Sequence, residues 1–282
     1  MLTVDVRTSR GTDWELAWRR PRSGGILAHS YAGFAEQLDQ SRRTVEWATP
    51  CARLVLVFGS TMTVTAAVES AGVAVGAFVA GPRAGPVVVD QQGLFHGIEI
   101  DLSVTDAAGF LGTALGDLDQ QVVSLDDVIG RRAVDLHDRL ASTPDWADVF
   151  DIVDEYLQPS GGPLVDPKLR RAWEMIEHAR GRVRIESVAE EIGWNRRHLG
   201  SRFCRAFGVT PKVAARLFRF ENATALLRNG LTPGRVAVAC GYYDQAHMHL
   251  DFAAFAEQPP GVVSSILRTG DGLGSAWPLL AG

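Results

Sequence analysis

At 282 residues, with 46% hydrophobic and 22% charged residues, the chain is long enough for two compact domains and apolar enough to fill their cores, which excludes a disordered polymer. Its three cysteines, Cys51, Cys204 and Cys240, are widely spaced and exclude both a disulfide framework and a CxxC metal knuckle. The net charge of -5 hides a division: residues 166–260 hold 15 Lys and Arg against 10 Asp and Glu, and the remainder holds 13 against 23, so one basic segment can attract phosphate while acidic charges beyond about 8 Å are screened.

The opening MLTVDVRTSRGTDWELAWRR has no apolar stretch of the kind an export signal carries, and no apolar run is long enough to cross a bilayer. The expected location is the cytoplasm, with no membrane partner. Over the first 120 residues, short apolar or alternating runs are punctuated by Gly and Pro: Trp14 to Trp18, CARLVLVFGS from Cys51, AVGAFVAGP from Ala74, GPVVVD from Gly85 and LFHGIEIDL from Leu94. They read as strands of a largely antiparallel barrel or sandwich. A helix is expected at Asp106 to Leu115, followed by helical stretches at Ser124 to Leu140 and Asp145 to Leu157. In the last of these, Trp146, Val149, Val153 and Tyr156 form one apolar stripe.

Gln158 to Pro163 combines Gly and Pro and breaks the helix. The expected division is therefore a β-rich regulatory or dimerisation domain at 1–157, a linker at 158–165, a helical domain at 166–262 and a tail at 263–282. The fold class is α+β, with a mixed β-rich N-terminal domain followed by an all-α domain containing two helix-turn-helix units.

Within the helical domain, Pro167 to Ala179 carries Leu169, Ala172, Trp173 and Ile176 on one side. Two short helices then meet at Gly193, a residue small enough for a tight bend. Val188, Ala189 and Ile192 of the first and Leu199, Phe203 and Phe207 of the second form a small core. Asn195, Arg196, Arg197, Gly200, Ser201 and Arg202 are left facing outward. A helix fits the major groove, where Arg bonds guanine and Asn bonds adenine. Arg197 and Ser201, one turn apart, are assigned to base edges, and Arg202 and Arg205 to the backbone or surface. Cys204, between Phe203 and Phe207, is expected to be buried.

A longer helix, Pro211 to Arg228, begins with a proline that sets its geometry and joins a second unit. There Val236, Ala237 and Cys240 precede the turn at Gly241, and Met248, Phe252 and Phe255 face the core of the following helix. Asp244 is placed to cap that helix. Gln245, Ala246, His247 and His249 lie on or near its exposed side, suited to an adenine, a thymine methyl, or a phosphate.

Three stretches, SVAEEIGWNRRHLGSRFCRAFGVTP, LFRFENATALLRNG and AVACGYYDQAHMHLDFAAF, resemble the AraC/XylS family of transcription regulators over about 95 residues, from Lys168 to Pro260. The resemblance implies two units on adjacent major grooves of double-stranded DNA, with base contacts at Arg197 and Ser201 in the first and at Gln245 and His249 in the second. The chain departs from many members by having Leu250, Asp251, Ala253 and Ala254 where basic residues are common, so its second reading helix holds no Lys or Arg. Arg235 is the residue there that could retain a phosphate contact. The N-terminal part is similar to the sensor domain of some members. The implied partners are DNA, RNA polymerase, a small-molecule effector and a second copy of the chain.

No nucleotide-binding glycine loop, HExxH pair or GxSxG elbow occurs, so neither an enzyme nor a cofactor is expected. His96 and Glu99 on a strand, and His247 and His249 two apart on a helix, do not suit a metal site. For the N-terminal domain two readings stand. Trp14, Trp18, Phe58, Phe78 and Phe95 could wall an effector pocket, or the domain could serve only for dimerisation or protein contact.

Overall fold

A computed structural model describes residues 5–8, 14–19, 28–59, 62–65, 73–118, 121–158 and 165–269. The N-terminal strands are β1 (Asp5–Thr8), β2 (Trp14–Arg19), β3 (Ala28–Glu46), β4 (Ala52–Gly59), β5 (Met62–Thr65), β6 (Val73–Val75), β7 (Ala77–Ala80), β8 (Val87–Leu102) and β9 (Val122–Ser124). They form one antiparallel sheet in the order β1-β2-β3-β8-β4-β7-β9, with β5 added to β8 and β6 to β5. The two runs expected as separate strands, from Gly85 and from Leu94, are one: β8 continues through Gly93, whose φ of +88° bends the backbone where the register with β3 shifts. β8 pairs along its length with β3, interrupted by irregularities at Ala28/Ser30 and Leu38/Arg42, and pairs on its other edge with β4.

The helices of this half are α1 (Val104–Leu111), α2 (Leu125–Ile129), α3 (Arg131–Ala141) and α4 (Trp146–Tyr156), with a 3-10 turn at Leu115–Leu118. The stretch expected as one helix from Ser124 is two, because Gly130 takes φ +58°, ψ -138° and turns the chain between α2 and α3. In α4 the expected stripe packs inward: Trp146 lies over Gly33, where a side chain on the glycine would occupy the indole's place. The Trp146 Nε1–H donates to Glu15 at 2.7 Å, and the Tyr31 hydroxyl donates to Asp154 at 2.8 Å.

The aromatic residues expected to wall a pocket are divided between the faces of the sheet. Phe58 joins the core under the helices, against His96 and His137, whereas Phe78 and Phe95 pack with Val55, Val57, Met62 and Val89 on the other face. Trp18 packs near Leu16 and Ala32. The Trp14 side chain lies outside the described residues. Period-two alternation sends neighbouring side chains to opposite faces, which separates rings that look close along the sequence.

The C-terminal half is helical: α5 (Pro167–His178), α6 (Ile185–Glu191), α7 (Arg196–Phe207), α8 (Pro211–Arg228), α9 (Pro233–Ala239), α10 (Gln245–Ala256) and α11 (Pro260–Thr269). The helix α11 runs across the boundary expected at residue 262 and buries Val263 and Leu267 against the second unit. The α+β class read from the sequence holds. The two halves are not merely tethered, because one hydrophobic core runs from Leu54, Ile100 and Phe110 through to Trp173, Phe203 and Phe218.

The halves are also bonded. The Arg170 guanidinium of α5 donates to the Thr105 hydroxyl at 2.7 Å and to Asp106 at 2.8 Å. Burial works to raise the Asp106 carboxyl, but hydrogen bonds from Arg170, Ser103 and Thr105 hold it below its usual range. The Ala48 N–H donates to the Phe255 carbonyl at 2.9 Å, and Trp47 meets the edge of Phe220.

Candidate DNA interface

The first unit is α6, a glycine turn and α7. Gly193, at φ +70°, supplies the left-handed turn, while the Trp194 N–H returns to the Ala189 carbonyl at 2.9 Å. Val188, Ala189, Leu199, Phe203 and Phe207 are buried as expected. Trp173 of α5 stacks on Phe203 at 5.6 Å and contacts Phe207 at 4.9 Å, so α5 fixes α7 from behind.

This packing turns one row of α7 outward. Arg196, Arg197, Ser201 and Arg202 are exposed, but they are not equivalent. Arg196 forms an ion pair with Glu186 of α6 at 2.8 Å, and Arg202 reaches Asp166 at 3.7 Å. Arg197 has no ion pair within 4 Å among the described residues, and Ser201 follows it by one turn on the same face. Asn195 has a local duty: its side-chain oxygen accepts the His198 N–H at 2.8 Å and caps α7. Cys204 is exposed, contrary to expectation. Phe203 and Phe207 share the buried row because they are four apart, and residue 204 is rotated by one helical step away from it.

A feature not singled out in the sequence lies below the first turn of α7. A groove of about 450 Å³ is lined by Glu186, Arg196, Gly200, Thr210, Pro211 and Lys212, among others. Thr210 caps α8 by accepting the Val213 N–H. The positive end of α8 and two cationic side chains therefore share one concavity, a setting that favours an anion. The sequence signal was Thr-Pro-Lys at a helix start.

The second unit repeats the construction. Gly241, at φ +72°, makes the turn and the Tyr242 N–H returns to Ala237 at 2.9 Å. Asp244 caps α10 by accepting the His247 N–H at 2.7 Å, as expected. Gln245, Ala246 and His249 are exposed, His247 is half-buried with its ring edge toward Tyr242, and Arg235 is exposed on α9. The Gln245 amide lies close against Gly234, where a side chain would meet its Nε2. Tyr243 and Leu250 are strongly exposed beside these residues, at 93% and 68%.

The departure at Asp251 has a structural explanation. Asp251 is buried at 1% exposure and its Oδ1 accepts a hydrogen bond from Arg216 Nε of α8 at 2.9 Å, with Nη2 in ion-pair contact at 2.8 Å. Arg216 also lies over the Phe255 ring. The acid therefore points away from the groove-facing side and ties the second reading helix to the connecting helix.

The N-terminal domain touches the ends of both reading helices away from their first turns. The Leu115–Leu118 turn abuts the last turn of α7 so closely that a Cβ on Gly116 would stand 2.1 Å from the Arg205 carbonyl oxygen. The Ala48 bond to Phe255 does the same for α10. The first turns of both helices remain exposed.

A family of helix-turn-helix domains matches residues 188–265. The chain is 28% identical over 109 residues to the uncharacterized HTH-type transcriptional regulator YbfI of Bacillus subtilis, a match covering 39% of this chain and 33% of that protein. Among solved structures it is similar to an apo lysine-to-alanine variant of ToxT from Vibrio cholerae, at a TM-score of 0.52 and 10% identity over 88% of this chain and all of the other. It is likewise similar to wild-type ToxT of Vibrio cholerae bound to an unsaturated fatty acid, at 0.51 and 10% over 94% of this chain and 98% of that one. At such identity the ToxT structures speak for the fold alone: a β-rich domain followed by two helix-turn-helix units. The paired glycine turns, the capped reading helices and the long connector agree with the helix-turn-helix match over residues 188–265, in a chain whose fold is similar to that of the ToxT structures.

Proposed function

We propose that the protein is a sequence-specific DNA-binding transcription regulator whose N-terminal domain controls how its two reading helices are presented. The observation that carries this reading is the pair of capped helices, α7 and α10, with polar first turns exposed while their far ends are held by the N-terminal domain. Arg197 and Ser201 read base edges in the first groove, and Gln245, Ala246 and His249 do so in the second. Arg196, Arg202 and Arg235 serve phosphates. Lys212, beside the start of α8, adds a phosphate contact in the groove it shares with Arg196. Asn195 and His247 act through helix capping and packing against Tyr242 as much as through DNA.

A fatty-acid-bound form is known for a protein of this fold, which supports control by a small molecule. In this reading the regulator is cytoplasmic and acts with RNA polymerase and as a dimer. No helix among the described residues is long and apolar enough to cross a membrane. The alternative, a ligand-independent regulator with a purely dimerising N-terminal domain, predicts that no small molecule changes DNA affinity. Arg197→Ala and Arg196→Ala, compared on a selected operator, test the side-chain roles. The first should lose discrimination at one base position; a uniform loss across positions would remove its base-reading role.

A further inference from the structure

Where the two domains meet, a cavity of about 190 Å³ opens between β8, the segment before β4, α5 and α8. That is room for about six waters at ~30 Å³ each. Its walls combine the rings of Trp173 and Phe218 with the carboxylates of Asp101, Glu177 and Glu221, and no described Lys or Arg lines it.

These carboxylates are unequally satisfied. Asp101 accepts from the Ser30 hydroxyl at 3.2 Å and from Arg53 Nε at 3.0 Å. The Glu221 carboxylate has no hydrogen bond or ion pair among the described residues; only its backbone carbonyl is used, by Thr224. Glu221 is half-buried in the cavity wall, and desolvation there pushes its carboxyl up to about 7. Asp101 and Glu177 add to the rise and Arg53 opposes it. Around and behind the cavity, five carboxylates (Glu46, Glu99, Asp101, Glu177 and Glu221) stand near three guanidiniums, Arg42, Arg53 and Arg83, of which Arg42 is engaged by Glu36. Arg53 is already shared among Glu46, Glu99 and Asp101. The cavity wall itself therefore presents carboxylates with no cation of its own among the described residues.

An unpaired buried carboxylate is costly, and a cation over aromatic faces is favourable. We infer that this cavity binds a small organic cation, an amine or amidine with a compact apolar body, whose charge pairs with Glu221 and Glu177 and whose body lies against Trp173 and Phe218. Asp101, Leu102 and Val104 come from the N-terminal domain, and Trp173, Glu177, Phe218 and Glu221 from the helical one. The cation therefore bridges the halves and favours the arrangement in which they are apposed. This deepens the regulatory reading by naming the chemical class of effector, and it rests on that reading for its regulatory meaning.

The test is calorimetric titration of the full-length protein with benzamidinium and with agmatine, beside benzoate as an anion of similar shape and oleate as a fatty acid. At least one cation should bind and raise the melting temperature, while benzoate and oleate do not. Glu221→Gln, which keeps the shape and removes the charge, should weaken cation binding about tenfold or more while melting no lower than the wild type. Glu177→Gln provides a second variant with the same expected direction if Glu221→Gln fails to fold. Binding of neither cation, equal binding of benzoate, or unchanged binding by a folded variant overturns the assignment. Because binding is read without DNA, a chain that takes the cation but selects no operator refutes the regulator and not the cavity; the reverse result does the opposite.

Discussion

Replacing Gly116 with alanine tests whether the N-terminal domain grips the first reading helix. The added Cβ would lie 2.1 Å from the Arg205 carbonyl oxygen, 2.7 Å from its carbonyl carbon and 2.8 Å from the Cys204 carbonyl oxygen. All three atoms are backbone of α7, so no side chain can swing aside. Relief requires the 3-10 turn and α7 to separate until the closest contact reaches about 3.4 Å, and overpacking of this kind typically costs ~1–3 kcal/mol. For a chain of this size that corresponds to a melting temperature lower by roughly 2–4 °C per kcal/mol. Gly85 provides the control, since a Cβ there meets nothing within 4 Å. Differential scanning calorimetry of the two variants reads the difference. Gly116→Ala melting together with Gly85→Ala would falsify the grip.

Three further outcomes follow from the geometry. The folded Glu221 carboxyl titrates at about 7 against a usual 4.5, so between those values the folded state holds a proton that the unfolded state has released; stability falls as pH rises through that window and stays reduced above it. Glu221→Gln should remove this component and stabilise the protein at pH 8 by up to ~1–3 kcal/mol, allowing for solvent in the cavity, and an unchanged melting difference between pH 5 and pH 8 contradicts it. Asp251→Asn should cost ~1–3 kcal/mol in chemical denaturation, because Arg216, itself 30% exposed, loses a buried partner; a neutral result would mean the pair does not brace α10. Lys212→Ala should weaken binding evenly across DNA sequences and lower the salt slope by about one, whereas a change in preferred sequence would point to base contact.

The helical half was legible because its signals are local. The 3.6 spacing of Leu199, Phe203 and Phe207, the glycines at 193 and 241 and the cap at Asp244 each act within one or two turns, and the structure places them in those roles. The expected exposure of Arg196, Arg197, Ser201, Gln245 and His249 also follows from that spacing. What escaped was non-local. Arg197 differs from Arg196 only because Glu186 of another helix engages the latter. Asp251 looked like a missing base contact until Arg216 of α8 supplied its partner. The aromatic pocket failed because alternation put Phe58 on one face of the sheet and Phe78 and Phe95 on the other. The acidic cavity, assembled from residues as distant as Ser30 and Glu221, has no signature along the chain at all.

The central claim, that the exposed first turns of α7 and α10 read DNA together, is tested most directly by selecting bound duplexes from a randomised pool with the full-length protein at two salt concentrations. The account predicts an enriched motif spanning two neighbouring major grooves that survives the higher salt. Binding without any enriched motif, lost steeply as salt rises, would contradict it.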